Sequence, residues 1–173
     1  MLCAHRKENM TIFVKNKHTL EIDEFKYKCC IGKNGSTKNK KEGDKKTPKG
    51  TFKIENLYFR KDRKKKPSTS LKCIEIEEDM GWCDDIRFPK KYNKLFKIEK
   101  KIKHEKLKRK DHKYNFLIPI KYNFNKTITG LGSCIFIHLT KDYKPTTGCV
   151  ALKEKDFLIM LKLIKKNSKI KIF

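Results

Sequence analysis

The sequence lacks the long apolar run that a membrane-spanning helix requires. Such a helix needs roughly 20 consecutive apolar residues, and no stretch of this 173-residue chain approaches that length. The first ten residues also lack the apolar core, about 7–15 residues long, of a secretory signal peptide. The composition therefore excludes an integral membrane protein, and the sequence as written predicts a cytoplasmic one.

The cysteines lack the spacing of a metal site. There are seven, and no two of them form a Cys-x-x-Cys pair, the arrangement typical of zinc ligands. Their odd number does not fit a complete set of disulfide bonds. Cys29 and Cys30 are adjacent in a strand-like run, a position more typical of packing than of redox chemistry. His104 and His112 have no further ligands at metal spacing and are interpreted as surface residues.

Arginine is scarce although the chain is strongly basic. Lys and Arg total 45 against 20 Asp and Glu, a net charge of +25, yet only five of these cations are arginine. Nucleic-acid sites usually depend on the planar arginine fork, so most of the lysines are interpreted as solvated surface. Attraction to a polyanion, whether nucleic acid, an envelope polymer or a membrane surface, stays open. The densest runs are Arg60–Lys66 and Lys97–Lys113, and the second predicts an exposed loop or insertion.

Apolar periodicity predicts a single, mainly β domain over residues 10–173, preceded by an N-terminal extension of residues 1–9. The length suits one domain with a modest core. The only strong helical pattern covers Asp156–Lys166, where apolar residues recur at i, i+3, i+4 and i+7: Phe157, Met160, Leu161 and Ile164. Strands are predicted at Thr11–Val14, Thr19–Ile22, Phe25–Ile31, Thr51–Phe59, Leu71–Ile76, Phe116–Ile120, Cys134–His138 and Lys169–Phe173.

A histidine and a cysteine near the C-terminus suggest thiol chemistry. His138 ends a predicted strand, and Cys149 follows the small-residue turn Pro145–Gly148. A thiol is a useful nucleophile near neutral pH only when a base or cation favours its thiolate, and the Gly148 and Cys149 amides could face a developing oxyanion. The alternative is a core cysteine beside a buried strand-end histidine. Cys134 shares the predicted strand face of His138 and is interpreted as packing.

The wider pattern resembles the YkuD (ErfK/YbiS-type) L,D-transpeptidase family over about residues 10–173. Two motifs carry the resemblance together: a Thr-Pro-x-Gly element upstream and a Ser/Thr-x-Gly-Cys motif after a strand-end histidine. The matching segments are Gly32–Gly35, Glu42–Phe52, Ile135–His138 and Thr146–Val150, and one branch of the family also matches Gly81–Asp85 and the stretch from Tyr114 to Tyr122-Asn123.

The resemblance implies a β-sandwich with one C-terminal helix before the last strand. It also implies that Cys149 is the nucleophile, that His138 activates it, and that the Gly148 and Cys149 amides stabilise the oxyanion. Two positions depart from the family pattern. Thr147 stands where many members have a second histidine, and Ala151 stands where many have arginine or asparagine.

The implied activity is acyl transfer on peptidoglycan stem peptides, with release of a terminal D-alanine and formation of cross-links in the cell envelope or periplasm. The resemblance implies that this activity needs neither a metal nor an organic cofactor. Candidate substrate-contacting residues are Thr146, Thr147, Trp82 and Asp84. Two alternatives stay open: an L,D-carboxypeptidase or amidase that uses water as acceptor, and a basic nucleic-acid-binding protein. The sequence makes no prediction of oligomeric state.

Overall fold

The computed structural model describes residues 10–173, so the predicted extension of residues 1–9 lies outside the described residues. The described chain is mainly β. Its elements are β1 (Thr11–Lys15), β2 (Thr19–Ile22), β3 (Phe25–Cys30), β4 (Ser36–Thr37), β5 (Thr47–Pro48), β6 (Gly50–Lys53), β7 (Leu57–Phe59), β8 (Cys73–Glu75), β9 (Met80–Cys83), β10 (Leu95–Lys97), β11 (His104–Lys106), β12 (Phe116–Pro119), β13 (Phe136–Leu139), β14 (Val150–Leu152), α1 (Glu154–Leu163) and β15 (Lys169–Ile172).

One ten-stranded sheet dominates the fold, in the order β6-β15-β1-β2-β3-β14-β13-β12-β7-β8. Strand β3 pairs with β2 on one side and with β14 on the other, and so joins the two halves of the sheet. Buried residues of both halves, such as Ile12 and Leu20 in one and Ile118 and Ile137 in the other, belong to a single hydrophobic core. The mainly β, sandwich-type fold is confirmed.

The first hairpin and the helix form where the periodicity predicts them. In β1 and β2, alternate residues point into the core, including Val14 and Leu20, which are paired across the hairpin. In α1, Phe157 and the other three residues of the predicted stripe are buried. The helix itself covers Glu154–Leu163 rather than Asp156–Lys166. No helix within residues 10–173 is long and apolar enough to cross a membrane.

The prediction of one strand over Thr51–Phe59 is wrong. The segment forms β6 and β7, which lie toward opposite ends of the large sheet. Between them, Ile54 forms an isolated bridge with Ile120, and the Glu55 amide donates to the Pro119 carbonyl at 2.9 Å. These tertiary contacts turn the chain at a point where the sequence itself contains no glycine or proline.

The interpretation of Lys97–Lys113 as an exposed loop is also wrong. The segment contributes β11, which pairs with β9, and β10 completes this three-stranded sheet on the other side of β9. Ile102 and Leu107 are buried beneath the charged surface. A few buried apolar side chains are enough to fix the segment, and they are too widely spaced to produce a periodic pattern.

Candidate active site

Cys149 lies immediately before β14, in contact with the residues that lead into the neighbouring strand β13. Its Sγ accepts a hydrogen bond from the Phe136 amide at 3.4 Å and donates one to the Cys134 carbonyl at 3.2 Å. Only 6% of the residue is exposed. Cys134 itself precedes the strand and has a positive φ of 55°, so its predicted place on the strand face of His138 is wrong.

The turn before Cys149 requires glycine. Gly148 has a φ of +147°, and a Cβ there would lie 3.0 Å from the Lys46 carbonyl oxygen and 3.2 Å from Ile135 Cδ1. Residues other than glycine rarely adopt that backbone conformation. The Gly148 carbonyl accepts a hydrogen bond from the Thr47 hydroxyl at 2.8 Å, so the turn is held from outside as well as by its own conformation.

Thr47 links the upstream Thr-Pro-x-Gly motif to the turn that leads into Cys149. The residue is fully buried, and its hydroxyl oxygen accepts a hydrogen bond from the Gly32 amide at 2.9 Å while donating to Gly148. Within the turn, Thr146 Oγ1 accepts from the Gly148 amide at 3.1 Å and donates to the Cys149 carbonyl at 2.6 Å. The two threonine hydroxyls therefore fix the backbone on which Cys149 sits.

His138 lies on β13, on the same face of the sheet as Cys149. In the parallel pairing of β13 and β14, His138 is opposite Ala151, two residues after Cys149, while Cys149 contacts Phe136, two residues before His138. Alternate residues of a strand share a face. His138 Nδ1 lies 2.9 Å from the Leu139 carbonyl oxygen. A carbonyl oxygen only accepts, so Nδ1 carries the proton and Nε2 is the basic nitrogen.

Burial keeps both members of the pair neutral at rest. It lowers the pKa of His138 to about 4, an effect reinforced by the nearby charges of Lys113 and Arg109 and opposed by the contact with Leu139. It raises the pKa of Cys149 to about 12, although the Phe136 amide acts in the opposite direction. A thiolate must therefore form during attack on a substrate, when the thiol proton moves to a base.

Cys149 lies between two cavities and lines both. The larger has a volume of about 560 Å³ and also contains His138, Ala151 and Thr146 in its lining. The smaller has a volume of about 210 Å³ and also contains Gly148. Thr147, Glu105 and Tyr114 are shared by both linings. The two cavities therefore meet at Cys149.

The structure separates the remaining sequence candidates. Asp84 lines the smaller cavity, with Oδ2 3.1 Å from Lys103 Nζ, and its buried Oδ1 has no hydrogen-bond partner among residues 10–173. Trp82 instead lies in the apolar cluster behind Cys149, where its indole N–H donates to Asn93 Oδ1 at 3.0 Å and its ring contacts Phe136 at 5.3 Å between centroids. Trp82 therefore packs in the apolar cluster that contains Cys149 and lines neither of the two cavities.

Sequence reasoning missed the site residues that the segment 104–114 brings to the larger cavity. Tyr114 is buried, with its ring edge-on to His138 at 5.5 Å between centroids. Arg109 and Lys113 also line the cavity. The available signal was Arg109 itself, one of five arginines among 45 basic residues, because arginine stands out where lysine is the common basic residue.

The described chain combines a mainly β fold with Cys149 and His138 in the lining of one cavity. The whole chain matches one family model, that of the L,D-transpeptidase catalytic domain (YkuD), over residues 1–172. The chain therefore belongs to the YkuD L,D-transpeptidase family.

The other two comparisons add little. Among solved structures, Bd1075 of Bdellovibrio bacteriovorus is similar to this chain with a TM-score of 0.48 and 17% sequence identity. The alignment covers 95% of this chain and 48% of that one, so this chain spans about half the length of Bd1075. A comparison with curated proteins gave no match.

Proposed function

We propose that this protein is a cysteine-dependent L,D-transpeptidase that acts on peptidoglycan stem peptides through Cys149 and His138. The observation that carries the proposal is that both residues lie on one face of the β13–β14 pair and line one cavity. Nδ1 of His138 is held by a backbone carbonyl, which leaves Nε2 available as the base. The membership of the family supports the substrate class.

The reaction proceeds in two acyl-transfer steps. Cys149 Sγ attacks the carbonyl carbon of the residue before the terminal D-alanine, while the thiol proton passes to His138 Nε2. The S–C bond forms, the C–N bond breaks, and the same proton leaves with the amine of D-alanine. An amine from a second stem peptide then attacks the thioester and gives a proton to His138. The new C–N bond forms, the C–S bond breaks, and His138 passes the proton to the sulfur, which restores the thiol.

The backbone around Cys149 supplies the oxyanion contacts in this proposal. The Gly148 and Cys149 amides are the assigned donors, as in the family pattern. At rest the Gly148 amide donates to Thr146 Oγ1 at 3.1 Å, so a substrate oxygen would exchange with that hydroxyl. Thr147 and Asp84 are assigned to substrate contact because they line the cavities beside Cys149.

The lysine-rich surface supports a further, non-specific attraction to anionic polymers of the cell envelope, where we place the activity. A third cavity of about 510 Å³ is lined mainly by cations of the run from Lys61 to Lys66. Two of these already pair with carboxylates, Lys61 with Glu75 at 2.7 Å and Lys64 with Glu154 at 2.5 Å. The attraction should therefore weaken strongly with salt.

Release of D-alanine from a tetrapeptide-stem muropeptide tests the proposal. Wild type should release D-alanine, Cys149→Ala should not, and the matched control Cys73→Ala should retain the activity because Cys73 lies away from both cavities. A dimeric product supports transpeptidation, whereas a tripeptide alone identifies water as the acceptor. Normal turnover by a folded Cys149→Ala variant would contradict the assignment of the nucleophile.

A further inference from the structure

The larger cavity has a basic wall that the proposed chemistry leaves unused. Its charged lining comes from residues 105–113 and 141–144. The segments meet β13 directly, because the Leu139 amide donates to the Lys113 carbonyl at 3.0 Å. The cations of this wall outnumber its carboxylates, Glu105 and Asp142; they are Arg109, Lys113, Lys141 and Lys144.

Arg109 is the cation of this wall that the structure holds most firmly. Its Nε and Nη2 donate to the two carboxylate oxygens of Asp111 at 3.0 and 2.7 Å, and Nη1 donates to Glu105 at 2.7 Å. The guanidinium carbon lies 5.0 Å from the centroid of the Tyr114 ring. Its orientation is therefore fixed before any ligand arrives.

Arg109 keeps donors for a ligand. A guanidinium has five N–H groups, and the contacts with Asp111 and Glu105 account for three of them. The side chain is 32% exposed and lines the same cavity as Cys149 and His138. An anion in that cavity can therefore meet a preoriented guanidinium, with Lys113 as a second positive charge close enough to affect His138.

In the proposed reaction, the carboxylate of the leaving amino acid comes to lie next to this basic wall. This step rests on the proposed function. His138 returns its proton to the leaving nitrogen, so the leaving residue must occupy the cavity that His138 lines. Only one carbon separates that nitrogen from the α-carboxylate of a terminal amino acid. The cavity has room there because Ala151, opposite His138, contributes only a methyl group.

We propose that Arg109, assisted by Lys113, binds the α-carboxylate of the D-amino acid that leaves from the stem peptide. The contact is a charge-assisted hydrogen bond to a group present only on a free C-terminus. It makes Arg109 a specificity-determining residue that selects stem peptides ending in a free carboxylate.

The test compares two substrates that differ only in this charge: a tetrapeptide stem with a free C-terminus and the same peptide with a C-terminal amide. Wild type should favour the acid by about tenfold to a hundredfold in kcat/KM, the range of one or two charged hydrogen bonds. R109Q should lose most of this preference, because its activity on the acid should fall by a larger factor than its activity on the amide. R109K should retain part of the preference, because it keeps the charge but not the fork.

Arg63 provides a matched control. Its guanidinium donates to the Asp111 and Lys110 carbonyls at 2.8 and 3.0 Å, so it supports the same segment without lining the cavity beside Cys149. R63Q should keep the wild-type preference. K113Q, a second variant in case R109Q does not fold, should reduce the preference by a smaller factor than R109Q.

The outcomes separate this inference from the proposed function. If R109Q, R109K and K113Q are folded and all keep the wild-type preference for the acid, the inference is overturned while the proposed function stands. If folded wild type turns over neither peptide, the proposed function fails, and the inference fails with it.

Discussion

The two regions that enclose the larger cavity are held in place by different forces. The turn that leads into Cys149, residues 145–149, is fixed by the hydroxyl-to-carbonyl hydrogen bonds of the buried Thr47 and the partly buried Thr146, and by the glycine conformation at Gly148. The basic segment, residues 104–113, is anchored by the buried side chain of Leu107 and is further held by partly exposed ion pairs, such as those of Arg109 with Asp111 and Glu105. Buried hydrogen bonds respond little to salt, whereas exposed ion pairs respond strongly. We infer that the chemistry lies on the rigid region and substrate selection on the ionic one.

The largest effect is expected when the proposed general base is removed and the basic segment is left unchanged. His138→Gln should lower kcat by about a hundredfold to ten-thousandfold, the usual contribution of a general base, measured as D-alanine release. His104→Gln is the control, because His104 also holds a backbone carbonyl through Nδ1, at 2.7 Å from Ile102, but on β11. An equal loss in both variants would indicate a structural effect and contradict the role of His138.

A smaller effect is expected when the turn that leads into Cys149 loses its support from Thr47. Thr47→Val keeps the shape of the side chain but leaves the Gly32 amide and the Gly148 carbonyl without their buried partner. The cost should be about 1–3 kcal/mol in the free energy of unfolding, and kcat should fall because Cys149 is held less well. Urea unfolding measures the first effect, and D-alanine release measures the second.

Thr69→Val is the matched control for that experiment. The Thr69 hydroxyl donates to the Leu161 carbonyl at 2.9 Å, and neither residue lines the cavities beside Cys149. This variant should lose stability without a comparable loss of kcat. If Thr47→Val unfolds no more easily than wild type, the turn is not held as described.

The smallest effect tests the ionic region. Arg109 lowers the pKa of Asp111 to about 2, below the ordinary value of about 3.9. The pair therefore stabilises the fold fully above that ordinary value and loses its contribution as the pH falls toward 2. Asp111→Asn should cost at most about 1 kcal/mol at neutral pH, since both side chains are about one third exposed.

Salt and acid should both remove the difference between Asp111→Asn and wild type. Urea unfolding, followed by the fluorescence of the single tryptophan, Trp82, measures this difference in stability. Trp82 is a suitable probe because it lies on β9, which pairs with β11. The cost of Thr47→Val should stay constant over the same salt range. A salt-independent cost of Asp111→Asn would remove the distinction between the two regions.

The spacing of apolar residues in the sequence predicted the helix and the first hairpin. The stripe from Phe157 to Ile164 and the alternation in β1 and β2 predicted their elements because burial there follows the period of the helix or strand. The break at Ile54 and the burial of Leu107 depend on contacts with distant segments. No periodicity within either segment reports such contacts.

The candidate site divides in the same way. Cys149, His138 and Gly148 were visible in the sequence because they form a compact motif, although their roles stay proposals. The roles of Thr47 and Arg109 depend on which distant residue each one contacts. In the sequence, Thr47 is only part of the Thr-Pro-x-Gly element, and its contact with Gly148 across 101 residues of sequence is visible only in the structure.

The position of β15 has a consequence for how the chain reaches its folded state. This strand lies between β1 and β6, parallel to the first and antiparallel to the second. One half of the sheet therefore stays open until residues 169–172 have left the ribosome, because β1 and β6 have no direct pairing with each other. Pairings between such distant segments form slowly. The sandwich that supports Cys149 can close only when β15 has inserted between β1 and β6, so we expect this half of the sheet to form as one cooperative event.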